Sequence, residues 1–146
     1  MTEPIGLLIS MNEIIRRIFV GTLEDAVQTA STHPDWIILC VLEQRPANEP
    51  ACAIHVPLLE FSPEGPIVNQ IRLEIACDII DNAYSNGYNI LVHCQMGIER
   101  SPLTIAYWLA TRYHISLDNA YRILKLQRPV VEDRRLWLPE NLRSMA

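Results

Sequence analysis

The apolar positions of this chain alternate between two periods. "WIILCVL" (36–42) is an unbroken apolar run bounded by Pro34 and Pro46, which predicts a strand buried on both faces. "RRIFVG" (16–21), "ACAIHVP" (51–57) and "NILVHC" (89–94) read as shorter strands, the first two stopped by Gly21 and Pro57. Between them the spacing is helical. "TLEDAVQTAS" (22–31) has Thr22 as N-cap and acids in its first turn. From Ile67 to Asn86, Ile71, Ile75, Ile79 and Ala83 recur every four positions, and Gly87 supplies a stop. "SPLTIAYWLATRYH" (101–114) opens on Ser-Pro, which fits an N-cap followed by proline at the first helical position. "SLDNAYRILKLQR" (116–128) is capped by Ser116 and ended by Pro129, and a last short helix is expected over about 133–143. "LLEFSPEGP" (58–66), with two prolines and a glycine, reads as a loop. Strands alternating with helices predict an α/β fold: one layered domain over residues 1–146, with a central, mostly parallel mixed sheet of four to five strands flanked by helices on both faces.

Composition narrows the function classes. Of 146 residues, 49% are apolar and 20% charged, an ordinary globular balance rather than a disordered one. A net charge of −5 argues against a general nucleic-acid binder, which shows a basic face. The opening "MTEPIGLLIS" carries an acid where a leader has basic residues, and "WIILCVL" is far short of a membrane span. The expectation is a soluble, cytoplasmic monomer with no membrane and no nucleic-acid partner. The four cysteines, at 40, 52, 77 and 94, form neither a CxxC pair nor a zinc-ligand spacing. Cys40, Cys52 and Cys77 sit in apolar or small-residue stretches and read as small hydrophobes. The lone histidines at 33, 55 and 114 read as surface or core residues.

Cys94 stands apart, in "HCQMGIERS" (93–101). A strand end, a glycine-containing turn and a helix start surround it. Successive backbone N–H groups in such a turn form an anion-binding nest, and the following helix points its positive end at the same place. Arg100 adds a planar fork of donors that matches two phosphate oxygens. A free cysteine is only about 3% thiolate at neutral pH. Surroundings of this kind lower a cysteine pKa to about 3.5–7.5, which makes the thiolate a major form. A thiolate beneath a bound phosphate can attack phosphorus, with the amides of Gln95, Met96, Gly97, Ile98, Glu99 and Arg100 holding the equatorial oxygens. This chemistry needs no metal and no cofactor.

The pattern HCxxGxxRS, filled by His93, Cys94, Gly97, Arg100 and Ser101, resembles the signature loop of the cysteine-dependent protein phosphatases. "IIRRIFVGTLEDA" is similar to the opening strand-turn-helix of the dual-specificity phosphatases, and "RSPLTIAYWLATRYHISLDNAYRILKLQRPVV" to their downstream helices, so the resemblance covers about residues 12–140. It implies that Cys94 is the nucleophile and that Arg100 binds phosphate and stabilises the transition state. It further implies that Ser101 donates to the departing thiolate and that His93 shapes the loop. In that family an aspartate some thirty residues before the cysteine protonates the leaving oxygen. The corresponding stretch here, "HVPLLEFSPEGP", contains none. Glu60, 34 positions before Cys94, Glu64, 30 before it, and no dedicated acid at all stay open as alternatives.

Glu99 is a second departure. A carboxylate inside the nest would repel substrate, so it is expected to point away and pair with an arginine. The loop also lacks the extra cations that suit inositol lipids or RNA 5′-triphosphates, unless Arg134 and Arg135 line the cleft. The expected function is hydrolysis of phosphorylated protein or peptide, phosphotyrosine and conceivably phosphoserine or phosphothreonine, through a cysteinyl-phosphate. The alternative is a catalytically weak phosphate-binding module. A low-pKa thiolate also oxidises readily, which leaves open a protecting disulfide with Cys40 or Cys52.

Overall fold

Ile90, Leu91 and Val92 are fully buried, and the strand they build is the axis of the molecule. The computed structural model describes residues 11–143; the opening "MTEPIGLLIS", read above as no leader, lies outside them. The main sheet has five strands: β1 (Asn12–Ile15), β2 (Ile18–Gly21), β3 (Ile37–Cys40), β4 (Ile54–His55) and β7 (Ile90–His93). Their spatial order is β1-β2-β7-β3-β4, with β1 antiparallel to β2 and every other pairing parallel. In register, Gly21, His93 and Cys40 form one row at the carboxyl ends of the three central strands. That edge is where α/β sheets place their sites.

Helices cover both faces, as the alternation requires. α1 (Leu23–Thr32) packs Ala26 against Ile38 and Leu91 on one face. α2 (Gln70–Ser85), α3 (Arg100–Tyr113) and α4 (Leu117–Gln127) build the larger core on the other, around Ile90 and Val92. The caps behave as their residue types dictate. Thr22 and Asp25 close a reciprocal capping box on α1, and Ser116 accepts from the Asn119 N–H on α4.

Five expectations need correction. The stretch 58–66 is not a loop: β5 (Leu59–Ser62) and β6 (Gly65–Val68) form an antiparallel hairpin outside the main sheet. Pro63 and Glu64 are its turn, Gly65 has φ +114, and Ser62 Oγ donates to the Gly65 carbonyl at 3.0 Å. Turn residues in the middle of the segment masked the strand formers on either side. β1 was not foreseen, and the strand expected from Arg16 starts only at Ile18, because Arg16 and Arg17 are the turn between β1 and β2.

α2 starts at Gln70, with Asn69 as its cap, and buries Leu73, Ala76, Ile80 and Ala83. Ile71 and Ile75 are 69% and 47% exposed. A stripe stepping strictly by four turns about 40° per step and spirals off the core face; steps of three and four hold it there. α3 begins at Arg100, not at a Ser-Pro cap, and Glu99 precedes it with no side-chain cap bond. Finally, Pro139 splits the last helix into a 3₁₀ turn (Arg135–Trp137) and α5 (Glu140–Arg143), with Leu138 extended as a residue before proline must be. Among the described residues, no helix is long and apolar enough to cross a membrane.

Candidate active site

The segment 94–99 leaves β7 and enters α3, and its geometry follows from where its carbonyls go. The Cys94 carbonyl accepts from His93 Nδ1 at 3.0 Å, and that of Gln95 from the Leu23 N–H at 3.2 Å. The Met96 and Gly97 carbonyls accept from Arg128 Nη2 and Nε at 3.0 and 2.8 Å. Ile98 accepts from the Glu132 N–H at 2.9 Å and Glu99 from the Leu103 N–H at 3.1 Å. Every carbonyl of the turn is therefore held from outside it. Across a trans peptide the next N–H points the opposite way, and no peptide here is cis. Each amide of residues 95–100 therefore points away from the group that holds the carbonyl before it, the arrangement a nest needs. Gly97 makes the close approach possible: its φ is +68, and a Cβ there would lie 2.8 Å from both the Gly21 carbonyl and Arg128 Nη2.

Inside this ring, Cys94, Gln95, Met96, Ile98, Glu99 and Arg100 line a cavity of about 240 Å³, with Glu132 at its side. Cys94 is 2% exposed, and its Sγ lies 3.2 Å from Ser101 Oγ, which the first turn of α3 delivers. The Arg100 guanidinium is gripped by Glu43 through Nε at 2.6 Å and Nη2 at 2.8 Å. Burial works against its charge, but Glu43, Cys94 and Glu99 together hold its pKa above the ordinary arginine value. Arg128 is nearly enclosed, and burial lowers its pKa against the opposing pull of Asp25 and Cys94.

The structure thus gathers His93, Cys94, the 95–99 loop, Arg100 and Ser101 in one place. It leaves Glu60 and Glu64 out. Glu60 is exposed on β5, where its Oε2 accepts from Asn69 Nδ2 at 2.9 Å, and Glu64 is exposed at the hairpin turn; neither lines the cavity. Glu99 points away as expected, accepting from Arg134 Nε and Nη2 at 2.9 and 2.6 Å. Arg134 also holds Glu132 at 2.6 Å, and Arg135 pairs with Asp118 and Asp133. These two arginines add no uncompensated cation to the cleft.

Four residues of the site escaped sequence reasoning: Glu43, Glu49, Arg128 and Glu132. Glu49 Oε2 lies 2.8 Å from His93 Nε2, both side chains fully buried. The one local signal was positional, an acid just past the end of a buried parallel strand (Glu43) and an arginine just before a helix-ending proline (Arg128).

The comparisons agree with this geometry. Residues 23–138 match the family model described as dual specificity phosphatase, catalytic domain. The chain belongs to that family. Mouse dual specificity phosphatase 28 is 31% identical over 120 residues, 79% of this chain and 71% of that protein. Human dual specificity protein phosphatase 16 is 29% identical over 119 residues, 82% of this chain, but the chain spans only 16% of it. It spans 30% or less of two further curated relatives. The crystal structure of human DUSP28 superposes with a TM-score of 0.68 at 22% identity, covering 91% of this chain and 87% of that one, a likeness of fold.

Proposed function

We propose that this dual-specificity-type domain hydrolyses phosphomonoesters on proteins or peptides, phosphotyrosine foremost, through a cysteinyl-phosphate. The observation that carries this reading is the outward tethering of all six carbonyls from Cys94 to Glu99, which leaves an inward ring of amides above the Cys94 sulfur. In the first step a Cys94 S–P bond forms as the P–O bond to the leaving group breaks. The ring amides and the free edge of Arg100 hold the equatorial oxygens. In the second step water attacks phosphorus, and the Ser101 hydroxyl donates to the departing sulfur. Glu43 keeps the guanidinium flat against the cavity by using Nε and Nη2, leaving Nη1 for phosphate.

The leaving oxygen sets the substrate order. The two carboxylates that line the cavity, Glu99 and Glu132, are both taken up by ion pairs with Arg134. Glu60, the first candidate for the acid, stands on an exposed strand and does not line the cavity. A phenol with pKa about 10 departs with little help, whereas an alkyl alcohol, a far weaker acid, does not. Turnover of matched phosphotyrosine and phosphothreonine peptides tests the order: tyrosine is released faster, and faster release from threonine would overturn it. Cys94→Ser abolishes both while the thermal melt stays cooperative; retained turnover would end the cysteine mechanism.

A further inference from the structure

Beside the loop that carries Cys94, three side chains meet that are remote in sequence. Cys40 and His93 are register partners on adjacent parallel strands, so their side chains leave the same face of the sheet. Glu49 reaches them from the segment after β3. The Cys40 sulfur, a Glu49 carboxylate oxygen and a His93 ring nitrogen all lie within 4.8 Å of one another, and all three residues are buried.

The hydrogen bonds of this cluster are incomplete in an informative way. His93 Nδ1 faces the Cys94 carbonyl and Nε2 faces Glu49 Oε2, so the ring is held at both nitrogens. Glu49 Oε1 is buried with no conventional hydrogen-bond partner among the described residues, beside a Cys40 thiol whose pKa burial pushes up to about 12. A buried carboxylate oxygen left in this state is costly.

We propose that Cys40 Sγ, Glu49 and His93 Nε2 form a binding site for a zinc-like divalent cation. A thiolate, an imidazole and a carboxylate are donors that zinc takes, and Glu49 Oε1 can close the shell as the second oxygen of a bidentate carboxylate in a distorted four-coordinate site. The Nδ1–H anchored on a backbone carbonyl is the outer contact that orients metal-ligating histidines and leaves Nε2 free to ligate. Charge balances as well: a thiolate, a carboxylate, a neutral ring and a +2 ion sum to zero, so the loaded site carries no net buried charge. Donors about 3.5 Å apart suit bond lengths of about 2.0–2.3 Å, so the widest separation closes by roughly 1 Å.

The site is independent of the phosphatase reading, and its test uses protein that cannot turn over. The Cys52→Ser/Cys94→Ser chain, lacking the exposed thiol and the catalytic one, is titrated with cobalt(II), both as folded and when refolded with the metal present. One equivalent gives a sulfur-to-cobalt charge-transfer band with intense four-coordinate visible bands, zinc displaces it, and protons are released as the ion binds. Adding Cys40→Ser removes the band, and adding the isosteric Glu49→Gln weakens binding at least tenfold. No band under either condition overturns the proposal and leaves a purely hydrogen-bonded cluster. A band that survives Cys40→Ser, or affinity indifferent to Glu49→Gln, overturns it equally.

Discussion

Arg128 is the side chain on which the loop geometry turns. It donates to the Met96 and Gly97 carbonyls and, through Nη1, to Asn12 Oδ1 at 2.7 Å, tying α4, β1 and the loop together. Arg128→Met keeps the stem and removes the fork. Two buried carbonyls then lose charge-assisted donors, at a cost of about 1–3 kcal/mol each. The relief of no longer burying a guanidinium offsets part of that, since burial already lowers its pKa. A net loss of about 2–4 kcal/mol is expected in a urea melt. The effect on rate is distinct from the effect on stability. Once the carbonyls are free to turn, the amides of Gly97 and Ile98 leave the ring, and one such donor is worth about 10²–10³ in kcat. We therefore expect kcat on an aryl phosphate to fall at least about a hundredfold under conditions where the variant is fully folded. Arg128→Lys falls between the two, because a point charge cannot serve both carbonyls and Asn12. A methionine variant that melts with the wild type and turns over within about threefold of it would refute the role of the brace.

Gly97→Ala places a methyl 2.8 Å from the Gly21 carbonyl at a residue with φ +68, so stability and turnover should fall together; a melt unchanged from wild type would show that the backbone adapts. Glu60→Gln should lower phosphothreonine turnover more than phosphotyrosine turnover and remove the alkaline limb of the alkyl-phosphate pH profile. Equal rates on both would move the acid to Glu64 or to no side chain. Asp133 is partly buried, which raises its pKa, but bonds from Arg135 outweigh that and leave it below the ordinary carboxyl value. A depressed folded pKa means stability that is present above the unfolded value of about 3.9 and lost as pH falls through the lower folded value. Asp133→Asn should therefore destabilise the domain at pH 7 and converge with wild type in strong acid; a constant difference across that range would contradict the linkage.

The parts legible in the sequence were those whose cause is local. Thr22 and Ser116 cap the helices they precede, the run around Leu39 is a doubly buried strand, and Gly97 takes a positive φ in the turn after Cys94. The hairpin of β5 and β6 was hidden because its turn residues sit in the middle of a short segment, where they outweigh the strand formers beside them. The partners of the site were hidden for another reason. Glu43 lies 57 positions from Arg100, Glu49 lies 44 from His93, and Arg128 lies 31 from Gly97. No periodicity links such pairs; only the sheet order and the packing of α4 bring them together.

Because the anion cage is assembled from main-chain groups, its letters can be rewritten while the trap persists. Gln95 and Met96 present their side chains outward at the mouth, Met96 being 57% exposed. On the proposed reading, single changes at these two positions alter which phosphorylated surface docks here and leave the main-chain cage beneath them intact.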